Sequence, residues 1–264
     1  MSDITFSTCW YIFKAKFSAS VYEQWMRNML SNVCNYNLVV YTDIEGSKYI
    51  TPYLNNPRIK LVIKPFEEFY MHKYKDHWIK NHEKNHLLNT KIDWKVNMLW
   101  SEKIFFVKET IDRKYFDTEY YGWCDIGYFR NVTVNLQMWP NDSKILSLNK
   151  NKIHYANVNR DKQYINSLMR IILNKNSNGL PIFPIPENQV SIAGGFFVLH
   201  KDKIHWWSNT YDSKISLYFS NNYLVKDDQI IIIDCIFSEL IHFAVYEEND
   251  SRYDNWFMFQ RILM

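Results

Sequence analysis

Tyr120-Tyr121-Gly122-Trp123-Cys124-Asp125-Ile126-Gly127 is an apolar, aromatic run that stops at an acid and a glycine. The run reads as a buried strand over Tyr120–Cys124, with Asp125-Ile126-Gly127 at its end. In open α/β sheets, ligands sit beyond the carboxyl ends of the strands. A carboxylate there can hold a hard divalent cation, which in turn neutralises a diphosphate. Gly127 carries no side chain and would let a ligand approach the backbone. An Asp in an ordinary turn has the same local sequence, so the surrounding chain has to decide.

Upstream, Val96, Leu99, Trp100, Ile104, Val107 and Ile111 recur at helical spacing and predict an amphipathic helix leading into that strand. Farther back the pattern is β-α-β-β. Ile4–Phe13 is a buried strand. Ser20-x-x-Glu23 is a possible capping box, followed by an apolar helical face at Val21, Trp25, Met29 and Val33. Asn37–Thr42 is a strand ending at Asp43, and Arg58–Ile63 is a strand stopped by Pro65. Downstream, Lys144–Leu148 reads as a short strand, and Gly179, Pro181, Pro184 and Pro186 mark a loop over 174–189. Val190–His200 is an apolar strand containing two glycines. Ile204, Trp207, Tyr211, Ile215 and Tyr218 mark a helix. Ile230–Leu240 reads as a helix despite its four isoleucines, because of its length and acidic start. His242–Tyr246 is a last strand. The alternation predicts an α/β fold, a mixed, mostly parallel sheet flanked by helices, in a single domain over 1–264.

The formal net charge is +3 with 22% charged residues, which argues against a dedicated nucleic-acid binder. Hydrophobic residues at 47% and aromatics at 17% exclude disorder. Six glycines and seven prolines in 264 residues leave little material for a Gly-rich phosphate loop. Cys9, Cys34, Cys124 and Cys235 form no CxxC pair, so reduced thiols are expected rather than structural zinc or disulfides. The start has no basic segment of a signal peptide, and the most apolar stretch is broken by Asp234, Ser238 and Glu239. A cytosolic protein without a membrane span is the default, and the sequons at Asn131, Asn141 and Asn249 are read as chance.

Three further constellations could carry chemistry. His82-Glu83-Lys84-Asn85-His86 fits HExxH, the zinc-protease pattern, in which both histidines share a helix face and the Glu activates water. Its neighbours Lys80 and Asn81, with Lys84 and Asn85 inside it, describe a solvated face instead. Ala193-Gly194-Gly195 places two of six glycines in an apolar strand, where they mark either a ligand's approach or a bulge. Asp227-Asp228-Gln229 opens a helix. Asp227 reads as its N-cap, and Asp228 is the better candidate to hold a hydroxyl or take its proton. The helix start predicts that both are ionised, with low pKa. No GxSxG, Walker A or GxGxxG sequence occurs.

Taken in order, NLVVYTD (37–43), YYGWCDIGYFR (120–130), VSIAGGFFVLHKDKIHWW (190–207) and DDQ (227–229) resemble the GT-A-type nucleotide-sugar glycosyltransferases, and among them the HtrL/YibB-type family. The resemblance implies a GT-A-like domain with a nucleotide-binding half over 1–125 and an acceptor half over 126–264. It implies a nucleotide-sugar donor, UDP-linked foremost, and a glycan, protein or small-molecule hydroxyl as acceptor. It places Thr8, Cys9, Trp10, Tyr11 and Asp43 at the nucleotide. Asp125, with Gly127, falls at the metal- and diphosphate-binding motif, with Mn²⁺ or Mg²⁺ as the cation. Ala193, Gly194, Gly195 and Gln229 line the sugar cleft, and Asp228 acts as base or sugar-orienting group. A base would give inversion and mere positioning would permit retention. Gly127 stands where the family motif has a second carboxylate, which removes one metal ligand; His242 is a weak substitute. A catalytically silent sugar- or partner-binding domain is the non-enzyme alternative.

Overall fold

The computed structural model describes residues 3–264, so the first two positions of the expected domain lie outside it. The elements run β1 (Ile4–Trp10), α1 (Ala19–Leu30), β2 (Asn37–Thr42), α2 (Ile44–Ile50), β3 (Ile59–Ile63), α3 (Lys75–Lys84), α4 (Trp94–Asp112) and β4 (Tyr120–Cys124). They continue with α5 (Asp142–Leu146), β5 (Ile153–Ala156), α6 (Lys162–Leu173), β6 (Phe196–His200), α7 (Ile204–Ser220), α8 (Asp228–Ser238), β7 (Phe243–Tyr246) and α9 (Phe259–Ile262).

The strands make one sheet in the order β3-β2-β1-β4-β6-β5-β7. Only β6 is antiparallel to its neighbours; every other pairing is parallel. This is the mixed, mostly parallel α/β sheet predicted from the sequence. Side chains alternate across it, as the two-residue period of a strand requires. Phe6, Leu38, Val40, Tyr120 and Phe196 point into one apolar layer, under α1 and the C-terminal segment. Val39, Tyr41, Tyr121, Trp123 and Phe197 point into the other, under α4, α7 and α8. Both layers are dense in aromatic pairs, such as Phe6 on Trp139 at 5.5 Å and Tyr41 on Phe106 at 4.6 Å.

Several local expectations are corrected. β1 loses its partner after Trp10, whose register mate is Thr42, and residues 11–18 turn out of the sheet rather than extending it to Phe13. Ser18, not Ser20, occupies the cap position of α1 and makes no side-chain cap bond there. The buried face of α1 is Met26, Met29 and Leu30, while Val21 is exposed and Trp25 half-buried. Residues 142–146 form a helix, not a strand, because Asn141 accepts a hydrogen bond from Ser143 N at 2.9 Å and caps it. The strand expected over 190–200 begins only at Phe196, and the two glycines form the turn before it. β5 and α6 carry no motif that singles them out in the sequence.

The reversed direction of β6 has one consequence for the site. Its N-terminal end lies beside the C-terminal end of β4, and Asp125 N donates to Gly195 O at 2.9 Å. Two loops distant in sequence therefore meet at one edge of the sheet.

Candidate active site

At that edge lies a cleft of about 710 Å³, floored by the ends of β1 and β4, the turn before β6 and the start of α8. Three charged groups converge on the floor. Lys103, buried on α4, places Nζ 3.2 Å from Asp125 Oδ1 and 3.3 Å from Asp228 Oδ2. It also donates to Gly194 O at 2.8 Å. Asp125 is half-exposed to the cleft and further fixed by the Trp123 indole N–H, which donates to Oδ1 at 2.6 Å. Asp228 is 3% exposed, and no hydrogen-bond donor is aligned with its Oδ2, for which Lys103 is only an ion-pair partner. A carboxylate oxygen with two lone pairs and one long ion-pair contact keeps acceptor capacity for a ligand's hydroxyl.

The glycine pair makes this arrangement possible. A Cβ on Gly194 would come within 2.8 Å of Asp228 Oδ2, and one on Gly195 within 2.9 Å of Asp125 Oδ2. The pair is thus a requirement of the two carboxylates, not a bulge inside a strand. At Gly127 a Cβ would meet the Trp25 ring at 2.9 Å, so this glycine admits an aromatic wall of the cleft.

The electrostatics overturn the expectation of low acid pKa values. Burial pushes the Asp228 carboxyl up to about 6, with Lys103 pulling the other way. Burial likewise raises Asp227. The amide dipoles of α8 do not compensate for this desolvation. Asp227 also makes no side-chain cap bond; it pairs with Lys226 at 3.1 Å. Burial opposes the charge on Lys103, but Asp125 and Asp228 outweigh it and hold its pKa above the usual lysine range.

Of the residues expected at the site, Cys9, Trp10, Tyr11, Asp125, Gly127, Gly194, Gly195, Asp228 and Gln229 line the cleft. Ala193 is buried next to it. Thr8 is fully buried in β1, and Asp43 caps α2 by accepting from Gly46 N at 2.7 Å; neither lines the cleft. His242 packs at a tilt against Trp206, ring centroids 4.0 Å apart, just before β7 and outside the cleft. The HExxH reading fails for a geometric reason. α3 ends at Lys84, and Asn85 leaves helical geometry at φ −83°, ψ 69°, so His86 does not share a helix face with His82. The buried side chains of that segment are Asn81 and Asn85. They donate to Val225 O at 2.8 Å and Lys226 O at 2.9 Å, and so clamp the chain that enters Asp227-Asp228.

The floor as built leaves a divalent cation few protein ligands. Hard ions such as Mg²⁺ are held by as few as one or two carboxylates, with waters and substrate phosphates completing the shell. Asp125 and Asp228 already share Lys103, and no group of three or more potential ligands lies together among the described residues. A metal at Asp125 would compete with Lys103 for the same carboxylates and take its remaining ligands from water and the donor's phosphates.

Lys103 is the main group missed in the sequence. A signal existed: it sits seven residues after Val96 and four after Leu99, on the apolar stripe of α4, where a lysine needs a buried partner. The cleft walls were missed too. Tyr22 and Trp25 of α1 and Trp100 of α4 face the space, with Trp256 from the C-terminal segment. Lys16 and Arg130 stand among these rings.

No protein-family model and no curated protein matches this chain. Among solved structures, the apo crystal structure of mouse xyloside xylosyltransferase 1 is similar at 11% identity, over 92% of this chain and 85% of that one, with a TM-score of 0.49. That likeness is one of backbone course, and no property of the site follows from it.

Proposed function

We propose that this chain is a glycosyltransferase that moves a sugar from a nucleoside-diphosphate donor, UDP-linked foremost, to a hydroxyl of a glycan, protein or small molecule. The observation that carries the reading is the buried Asp228 carboxylate at the floor of an aromatic-walled cleft, touched by Lys103 at 3.3 Å on Oδ2. Its remaining acceptor capacity suits a sugar or acceptor hydroxyl. Beside it, Asp125 offers further acceptor capacity and Lys103 a cation, at the sheet edge where α/β proteins bind nucleotides. The aromatic walls suit the apolar faces of a sugar or a base.

In the transfer, the acceptor oxygen bonds to the anomeric carbon, the bond from that carbon to the diphosphate breaks, and the acceptor's proton leaves. With its pKa near 6, Asp228 is mostly ionised at neutral pH and able to take that proton. In a positioning role it would hold the sugar instead, and the two roles differ in stereochemical outcome. The test is release of nucleoside diphosphate from a panel of UDP-, GDP-, ADP- and dTDP-sugars, with and without Mn²⁺. The wild type releases product from at least one donor, and Asp228→Asn slows it about 100-fold or more at unchanged circular dichroism. No release from any donor, or a full rate in the variant, would overturn the reading. Binding without turnover would make the chain a sugar-binding domain instead.

A further inference from the structure

The floor of the cleft is poorly suited to a diphosphate. Asp125 and Asp228 bring two negative charges, and the single charge of Lys103 is already engaged by both of them. The adjacent pair of Lys226 and Asp227 adds none. A diphosphate placed on this floor would meet net negative charge in a partly dry site, where like charges repel strongly.

The rim is different. Lys16 stands over the Trp100 ring at 5.0 Å and makes no salt bridge among the described residues. Arg130 also makes none; its guanidinium lies 5.2 Å from the Trp25 ring, 5.8 Å from Phe17 and 5.0 Å from Phe257. Both line the cleft on its exposed side. Aromatic faces hold a cation in place without neutralising it. An arginine so held keeps its fork of N–H donors available for phosphate oxygens. Lys16 and Arg130 line the same cleft as Asp125 and Asp228, so rim and floor are parts of one site.

Resting on the glycosyltransferase reading, we infer that Lys16 and Arg130 hold the diphosphate of the nucleotide, in place of a divalent cation at Asp125. The sugar then lies on the carboxylate floor and the phosphates at the cationic rim, so donor binding does not require a metal.

The test is titration calorimetry of UDP, GDP, ADP and dTDP into protein stripped with EDTA, repeated after exchange into Mn²⁺. The expected result is that at least one nucleotide binds the stripped protein, with Kd changing less than threefold on adding Mn²⁺. Arg130→Gln and Lys16→Gln each weaken that binding tenfold or more, and Arg130→Lys recovers only part of the loss, since a lysine keeps the charge but not the fork. Both rim residues are exposed, so their variants should fold, and matching melting temperatures check this. Binding that needs Mn²⁺ and fails in Asp125→Asn would overturn the inference and leave the glycosyltransferase reading standing. Metal-free binding unaffected by both rim variants would also overturn it. No binding of any of the four, with or without metal, would count against the glycosyltransferase reading itself.

Discussion

Lys103 ties the two carboxylates of the cleft floor to one another, and its loss should be read first in the ionisation of Asp228. Burial raises the Asp228 carboxyl to about 6, and Lys103 is the strongest influence in the opposite direction. If ionised Asp228 is the active form, log kcat/KM rises with pH and levels off above about 6. Lys103→Met removes the nearby positive charge, so the same limb moves to higher pH, by about one unit or more, while the plateau falls. A profile that stays in place in Lys103→Met would separate Asp228 from the rate-determining ionisation. Lys103 is also the plainest case of a site residue whose helical position hints at a buried partner without naming it. Its partners come from the end of β4 and the start of α8, and only the folded chain brings them within reach.

At the scale of elements, the site depends on the turn between residue 193 and β6. The sequence shows that two adjacent glycines are unusual in so glycine-poor a chain, but not which neighbour needs the space. The neighbours are the carboxylates themselves, since either added Cβ would strike an Asp oxygen. Gly195→Ala should therefore displace Asp125 and cut donor turnover by about tenfold or more. Because the clash is with a half-exposed carboxylate able to move, the cost in stability should be modest, about 1 kcal/mol. Full activity at an unchanged melting temperature would show that the turn has more room than the structure gives it. Elements with strong local signals were legible: β2 and β4 have the bounds the sequence predicts, and α7 buries its apolar stripe; α4 is a helix as expected, but it buries Asn97, Ser101, Glu102 and Lys103 while Leu99, Trp100 and Ile111 are only partly covered. The errors fall where tertiary partners decide. Residues 144–148 are equally apolar as strand or helix, and the Asn141 cap settles them as helix. Residues 11–13 look like strand but have no strand beside them, and they form the cleft wall.

For the whole molecule, the alternation of strands and helices was enough to predict a mixed, mostly parallel α/β sheet, though not which strand would run against the others. The reversal of β6 was not legible, and it is this reversal that brings Gly195 to Asp125. Among the described residues, no helix is long and apolar enough to cross a membrane. The central claim is that a nucleotide-sugar lies in the cleft with its sugar on the floor formed by Asp125, Lys103 and Asp228. It is tested most directly by a crystal structure of the protein with a donor that turns over, or its slow analogue. The account predicts sugar hydroxyls within hydrogen-bond distance of Asp228 Oδ2 and Asp125; density for the sugar elsewhere, with this floor filled only by water, would contradict it.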